Sequence, residues 1–81
     1  MTREETYERL LNVFRDVFDD RRIKISDSTK STDIFGWDSF THIQLIAAVE
    51  DEFGVEFSVE DAANLKNVGE LVDLIQKTVG D

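Results

Sequence analysis

The chain has 81 residues, of which 18 are Asp or Glu and 9 are Lys or Arg, with no Cys, no Pro and one His. That length supports a single domain spanning residues 1–81, and its 26 Leu, Ile, Val and Phe residues are enough to drive a modest core. The net charge of −9 excludes the basic face that nucleic acid or an anionic membrane requires, and the lack of Cys removes disulfides, thiolate nucleophiles and thiolate metal sites. No apolar run suggests a signal peptide or a membrane span, so a soluble, cytoplasmic, monomeric domain is expected.

Helices follow from the apolar spacing. Thr2-x-x-Glu5 has capping-box spacing, and Tyr7, Leu10, Leu11, Phe14, Val17 and Phe18 recur at three and four as one amphipathic stripe. The run Asp19-Asp20-Arg21-Arg22 ends it. Residues 19–38 then form a long loop, polar from Ser26 to Asp33, with Ile23, Ile25, Ile34, Phe35 and Trp37 as apolar anchors. A connection of this length in a small domain signals function or a short element of its own.

A second helix opens at Asp38-Ser39, both good N-cap types, and runs to Phe53 with Gly54 as its stop. Leu45, Ile46, Val49 and Phe53 form its inner stripe. Val55-Glu56-Phe57 alternates like a strand but lacks a partner and reads as a connector. A short third helix is expected near Ser58, with Glu60 and Asp61 in its first turn. The last helix follows Asn67, where Asn67-x-x-Glu70 repeats the capping spacing. It carries Val68, Leu71, Val72, Ile75 and Val79 inward and ends at Gly80. The expected fold is all-α: a four-helix bundle with a short third helix and a long first loop.

The charge is unevenly placed. Residues 1–37 carry a net of −1 and residues 38–81 a net of −8, and between Asp38 and Asp61 there are seven carboxylates and no Lys or Arg. Like charges this close repel. A solvated acidic surface is one reading of such a run; an acidic face presented to basic partners is the other. The second helix also carries a second apolar stripe of Phe40, Ile43 and Ala47. One stripe suffices to pack a bundle, so the second either lies against the long loop or forms a docking ridge. Its flanks would be Asp38, Gln44, Glu50 and Asp51, with Glu60 and Asp61 on the facing wall.

Ser39 stands at the junction of loop and helix, where the default role of a Ser is to cap. Its surroundings add to that. The segment Phe35-Gly36-Trp37-Asp38-Ser39-Phe40 is followed by Glu50-Asp51-Glu52-Phe53-Gly54-Val55-Glu56-Phe57 and by Asn67-Val68-Gly69-Glu70-Leu71. Over nearly the whole chain this resembles an acyl carrier protein. That family's pattern is Asp-Ser-Leu at the start of the second helix, a Glu-rich helix end, then Phe-Gly and a short apolar connector.

The resemblance implies that Ser39 accepts 4′-phosphopantetheine from coenzyme A through a phosphopantetheinyl transferase, with Asp38 assisting attachment through the transferase's metal. A phosphodiester there would face the unsatisfied N–H groups of a helix start. It also implies acyl-loading and acyl-processing partners with basic docking patches. The absence of Cys then fits, because the arm would bring the thiol that a thioester needs. An unmodified acidic helical adaptor of the same fold is the alternative.

Phe40 replaces the family's Leu, Trp37 is unusual before Asp38, and Thr41, His42 and Gln44 stand where fatty-acid carriers commonly have acids. These departures point to a carrier of a dedicated pathway, with a fatty, polyketide, hydroxy or amino acyl cargo. Ser39 and His42, three apart, could be tried as a nucleophile and base, but no Gly-rich elbow or oxyanion hole accompanies them, and no enzyme is expected. His42 itself reads as a polar surface residue. Asp27 to Asp33 lacks the central Gly of a calcium loop, so no metal site is expected either.

Overall fold

A computed structural model describes residues 1–80. Its helices are α1 (Arg3–Val17), α2 (Ser39–Phe53), α3 (Val59–Ala63) and α4 (Val68–Val79), with a 3₁₀ turn at Ser31–Asp33 inside the first loop. All four expected helices are present, and the long loop does hold a short element of its own.

Each α-helix begins at a side chain that satisfies an otherwise unpaired N–H. Thr2 Oγ1 accepts the Glu5 N–H at 3.1 Å while Glu5 Oε1 accepts the Thr2 N–H at 2.9 Å, closing the capping box of α1. Ser58 Oγ accepts the Asp61 N–H at 3.0 Å, and Asn67 Oδ1 accepts the Glu70 N–H at 2.8 Å. The Glu70 carboxylate reaches the Lys66 N–H, one residue before the cap, rather than Asn67's own. Helix α2 stops at Gly54, whose φ of 65° is left-handed and costs a glycine little.

Helix α1 packs against α2 and α4. Leu10 and Phe14, Leu45 and Val49, and Val68, Leu71, Val72 and Ile75 are buried together. Burying each such side chain contributes about 1.5–3 kcal/mol before chain entropy is set against it. The stripe of α1 lies slightly off the expected one. Val13 and Thr6 are buried, whereas Tyr7, Leu11, Val17 and Phe18 are only partly so. Thr6 is tolerated inside because its hydroxyl donates to the Thr2 carbonyl at 2.9 Å.

The first loop is tied down along its length. The α4 start donates to it twice: Val68 N–H to the Thr29 carbonyl at 2.8 Å and Gly69 N–H to the Asp27 carbonyl at 3.0 Å. Position 69 has to be glycine for this approach, because a Cβ would lie 2.9 Å from the Asp27 carbonyl oxygen. Arg15 Nε holds the Ile23 carbonyl at 3.1 Å. Arg3 bonds Asp27 at 2.9 Å and Asp73 of α4 at 2.7 Å, and the Tyr7 hydroxyl also donates to Asp27.

Ile23 and Ile34 are buried as anchors, and Ile25 and Trp37 are partly so. Phe35, expected among them, is instead fully exposed at 101%. The backbone at Ile34 is extended (φ −120°, ψ 119°), and consecutive side chains on extended chain point to opposite sides. With Ile34 turned inward, Phe35 faces water. No helix among the described residues is long and apolar enough to cross a membrane.

The Tyr7 hydroxyl and then the Arg3 guanidinium hold the Asp27 carboxyl below its ordinary range. This stabilisation is fully present above the unfolded carboxyl pKa, about 4, and is lost as pH falls through the lower native value. Tyr7→Phe and Arg3→Gln should therefore each move the acid-unfolding midpoint to higher pH, followed by far-ultraviolet circular dichroism. Unchanged midpoints would show that the Asp27 network does not stabilise the fold.

Candidate functional site

The residues around the start of α2 divide their tasks. Asp38, not Ser39, is the cap. Asp38 Oδ1 accepts the Thr41 N–H at 2.9 Å, the Asp38 N–H donates to Thr41 Oγ1 at 2.8 Å, and the Thr41 hydroxyl donates to the Gly36 carbonyl at 2.7 Å. The Thr41 N–H bond is the main reason that the Asp38 carboxyl sits below the usual range, helped by the Thr41 hydroxyl and the Phe40 N–H. The capping role expected of Ser39 is thus already filled one residue earlier. The Thr41 N–H is thereby already bonded to the Asp38 carboxylate and is not left for a charge on Ser39. Ser39 occupies the first helical position, exposed, and its Oγ has no hydrogen-bond partner among the described residues.

The corner behind Ser39 is built from aromatic rings. Trp37 packs edge-on against Phe14 (5.3 Å between centroids, 77° between planes) and leans on Phe18 at 6.1 Å. On its other side it stacks on His42 at 6.0 Å and 13°. The Trp37 indole N–H donates to His42 Nδ1 at 3.1 Å, which leaves the proton on Nε2, where it is donated to the Ala62 carbonyl at 2.8 Å. One half-buried imidazole therefore joins the first loop, α2 and α3. The expectation of a mere surface polar residue is corrected, because the ring has an acceptor on one side and a donor on the other. Both nitrogens are occupied, so neither serves as a base for Ser39, and the Ser–His nucleophile has no geometric support.

Beside Ser39 lies an open groove of about 480 Å³ whose walls include Trp37, Ile43, Leu65, Lys66 and Asn67. Its lining mixes these apolar side chains with Ser31, Asp38, His42 and the lysine. Phe40 and Ile43 are each 70% exposed, and Gln44 and Ala47 are exposed beside them, so the second stripe of α2 does not pack on the loop. Val59 of α3 is exposed as well. Asp51, Glu60 and Asp61 project into solvent. Glu50 differs from them: it is half-buried, and its carboxylate accepts the Phe57 N–H at 2.8 Å, fixing the connector after α2. Among the described residues no group of three or more His, Asp or Glu is placed to hold a metal ion.

Sequence reasoning overlooked Lys66 and the Trp37–His42 bond. Lys66 was detectable as one of only two basic residues in 38–81. The Trp37–His42 pair was not, since five residues spanning a loop and a helix imply no contact.

An exposed serine at a helix start, beside a groove in a four-helix bundle, is the arrangement of a carrier domain. The family model for the phosphopantetheine attachment site matches residues 8–75. The acyl carrier protein of Solidesulfovibrio magneticus is 38% identical over 58 residues, covering 72% of this chain and 74% of the relative. That of Lactobacillus acidophilus is 29% identical over 80 residues, covering 99% and 100%. The solution structure of holo acyl carrier protein from Geobacter metallireducens superposes with a TM-score of 0.85 at 39% identity, covering 91% of this chain and 85% of that one. The chain belongs to the acyl carrier protein family, whose members carry acyl groups on phosphopantetheine.

His42→Ala removes both the bond from Trp37 and the bond to Ala62. It is expected to lower stability by about 1–3 kcal/mol, read by thermal denaturation. No loss of stability would mean that the imidazole does not fasten the corner.

Proposed function

We propose that Ser39 is the attachment residue and that the chain is a monomeric, cytoplasmic carrier domain over residues 1–81 serving a dedicated pathway. The observation that carries this reading is the division of labour at the start of α2. Asp38 caps the helix, leaving the Ser39 hydroxyl exposed and free of internal bonds. The residues present suit the group. A hydroxyl with no competing partner can be reached by a visiting transferase, and the adjacent groove offers apolar walls and an ammonium.

In the transfer, Ser39 Oγ attacks the coenzyme A phosphorus that bears pantetheine. A phosphodiester bond to Ser39 forms, the pyrophosphate bridge breaks, the adenosine bisphosphate half leaves, and the hydroxyl proton passes to the transferase. The arm then supplies the thiol for thioester carriage, which a chain without Cys lacks. Asp38, fixed by Thr41, keeps a negative charge beside the reacting oxygen, suited to a metal ion brought by the transferase. The chain itself needs no catalytic group.

The docking face is the exposed ridge of Phe40, Ile43, Gln44 and Ala47 with Asp51, Glu60 and Asp61 at its rim; Glu50 contributes charge while holding the connector. Apolar contact at the centre supplies affinity, and the carboxylates steer basic partners.

Incubation with coenzyme A and a broad-specificity phosphopantetheinyl transferase should add one arm per chain by intact mass, and Ser39→Ala should abolish the addition. Because the hydroxyl is exposed, Ser39→Ala should shift stability by no more than about 0.5 kcal/mol. An unchanged wild-type mass across several transferases would favour the unmodified adaptor.

Ile43→Asp should slow transfer at least several-fold by raising KM, while the melting temperature stays close to wild type. Equal transfer kinetics would remove Ile43 from the docking face.

A further inference from the structure

We propose that Lys66 is the counter-ion of the phosphodiester on Ser39 and that this pairing holds the arm along the groove, releasing it as ionic strength rises. The inference rests on Ser39 being the attachment residue, and it adds the element of the chain that positions the arm.

The argument begins with unbalanced charge. Residues 38–81 carry a net of −8, and a phosphodiester at Ser39 would add one more negative charge next to Asp38. A helix start ordinarily meets such a charge with its own N–H groups. Here that capacity is already shared, since the Asp38 carboxylate accepts the Thr41 N–H. A second anion in the same turn therefore gains from a cation brought from elsewhere.

One cation lines the same groove as Ser39. Only Lys66 and Lys77 are basic in this half of the chain, and Lys66 lines the groove together with Ser39 and Trp37. Its side chain is exposed, and its ammonium has no ion-pair partner among the described residues in a chain with 18 carboxylates. The nearby Glu70 carboxylate is occupied elsewhere, accepting the Lys66 backbone N–H at 3.0 Å. Lys66 thus shares the groove lining with Asp38 and Ser39 and makes no ion pair there, which leaves its ammonium available to an anion fixed at Ser39. Ion pairs at exposed sites are weak and salt-sensitive. Such a pair lets the arm occupy the groove and still swing out to a partner.

Two features of the chain supply the test. With no Cys, the arm's thiol is the only thiol, so a maleimide nitroxide labels the arm alone. Trp37 is the only Trp and lies in the groove wall, so its indole N–H gives a single proton resonance. Loading of every variant is first established by intact mass.

At low salt, the labelled wild type should broaden the Trp37 indole resonance. Lys66→Gln should reduce the groove-bound population about two- to five-fold, whereas Lys66→Arg and the charge-matched control Lys77→Gln should behave as wild type. At about 1 M salt, where the Debye length is about 3 Å, wild type should fall to the Lys66→Gln level. Full loading with equal broadening in wild type and Lys66→Gln overturns the role of Lys66 and leaves Ser39 in place. A loss in Lys77→Gln as large as in Lys66→Gln also overturns it, since the effect would then be of net charge. Failure of the wild type to load at all overturns the attachment residue and this inference with it.

Discussion

The structure depends on two backbone hydrogen bonds between distant parts of the chain. The first N–H groups of α4 need acceptors, and those of Val68 and Gly69 find them in the carbonyls of Thr29 and Asp27. The first loop is thereby part of the helix end it covers. Its remaining contacts follow from that placement. Arg3 and Tyr7 gather around Asp27, Ile23 and Ile34 enter the core, and the 3₁₀ turn leads the chain to Trp37. The requirement falls on a single atom position, since any side chain at residue 69 would collide with the backbone of Asp27. What looks on paper like a long connection behaves as a fixed strut that sets where α2 begins.

Around that starting point, polar groups divide into those committed to the fold and those left to solvent. Asp38 and Glu50 hold backbone N–H groups at the two ends of α2, and His42 is bonded at both nitrogens between them. Ser39, Asp51, Glu60 and Asp61 remain exposed. Committed and available groups therefore lie side by side at both ends of α2, as Asp38 beside Ser39 and Glu50 beside Asp51. This arrangement suits the proposed attachment at Ser39, whose oxygen is flanked by neighbours already committed to the fold.

The helices were legible in the sequence because caps and apolar spacing are local signals. Thr2, Asp38, Ser58 and Asn67 all lie where the helix starts are, and Gly54 and Gly80 where α2 and α4 end. The choice between Asp38 and Ser39 as cap was not legible, since adjacent residues of similar propensity differ only by where the preceding loop delivers the backbone. Burial within the loop was mistaken at Phe35 for a related reason: five apolar residues resembled five anchors, but an extended backbone can turn only one of two neighbours inward. The roles of His42 and Gly69 are tertiary. Each is defined by a partner at least five residues away across a loop or a helix, and no period in the sequence encodes that. The acyl carrier resemblance was legible because it rests on a tripeptide, a helix length and a Phe-Gly stop taken together.

Phe35 brings a consequence of a different kind. An aromatic ring wholly in water, four residues before Ser39, contributes nothing to the interior and so is not held in place by the demands of folding. The sequence of the bundle can stay as it is while this residue changes size, shape or polarity. Such a position can be rewritten without cost to the scaffold.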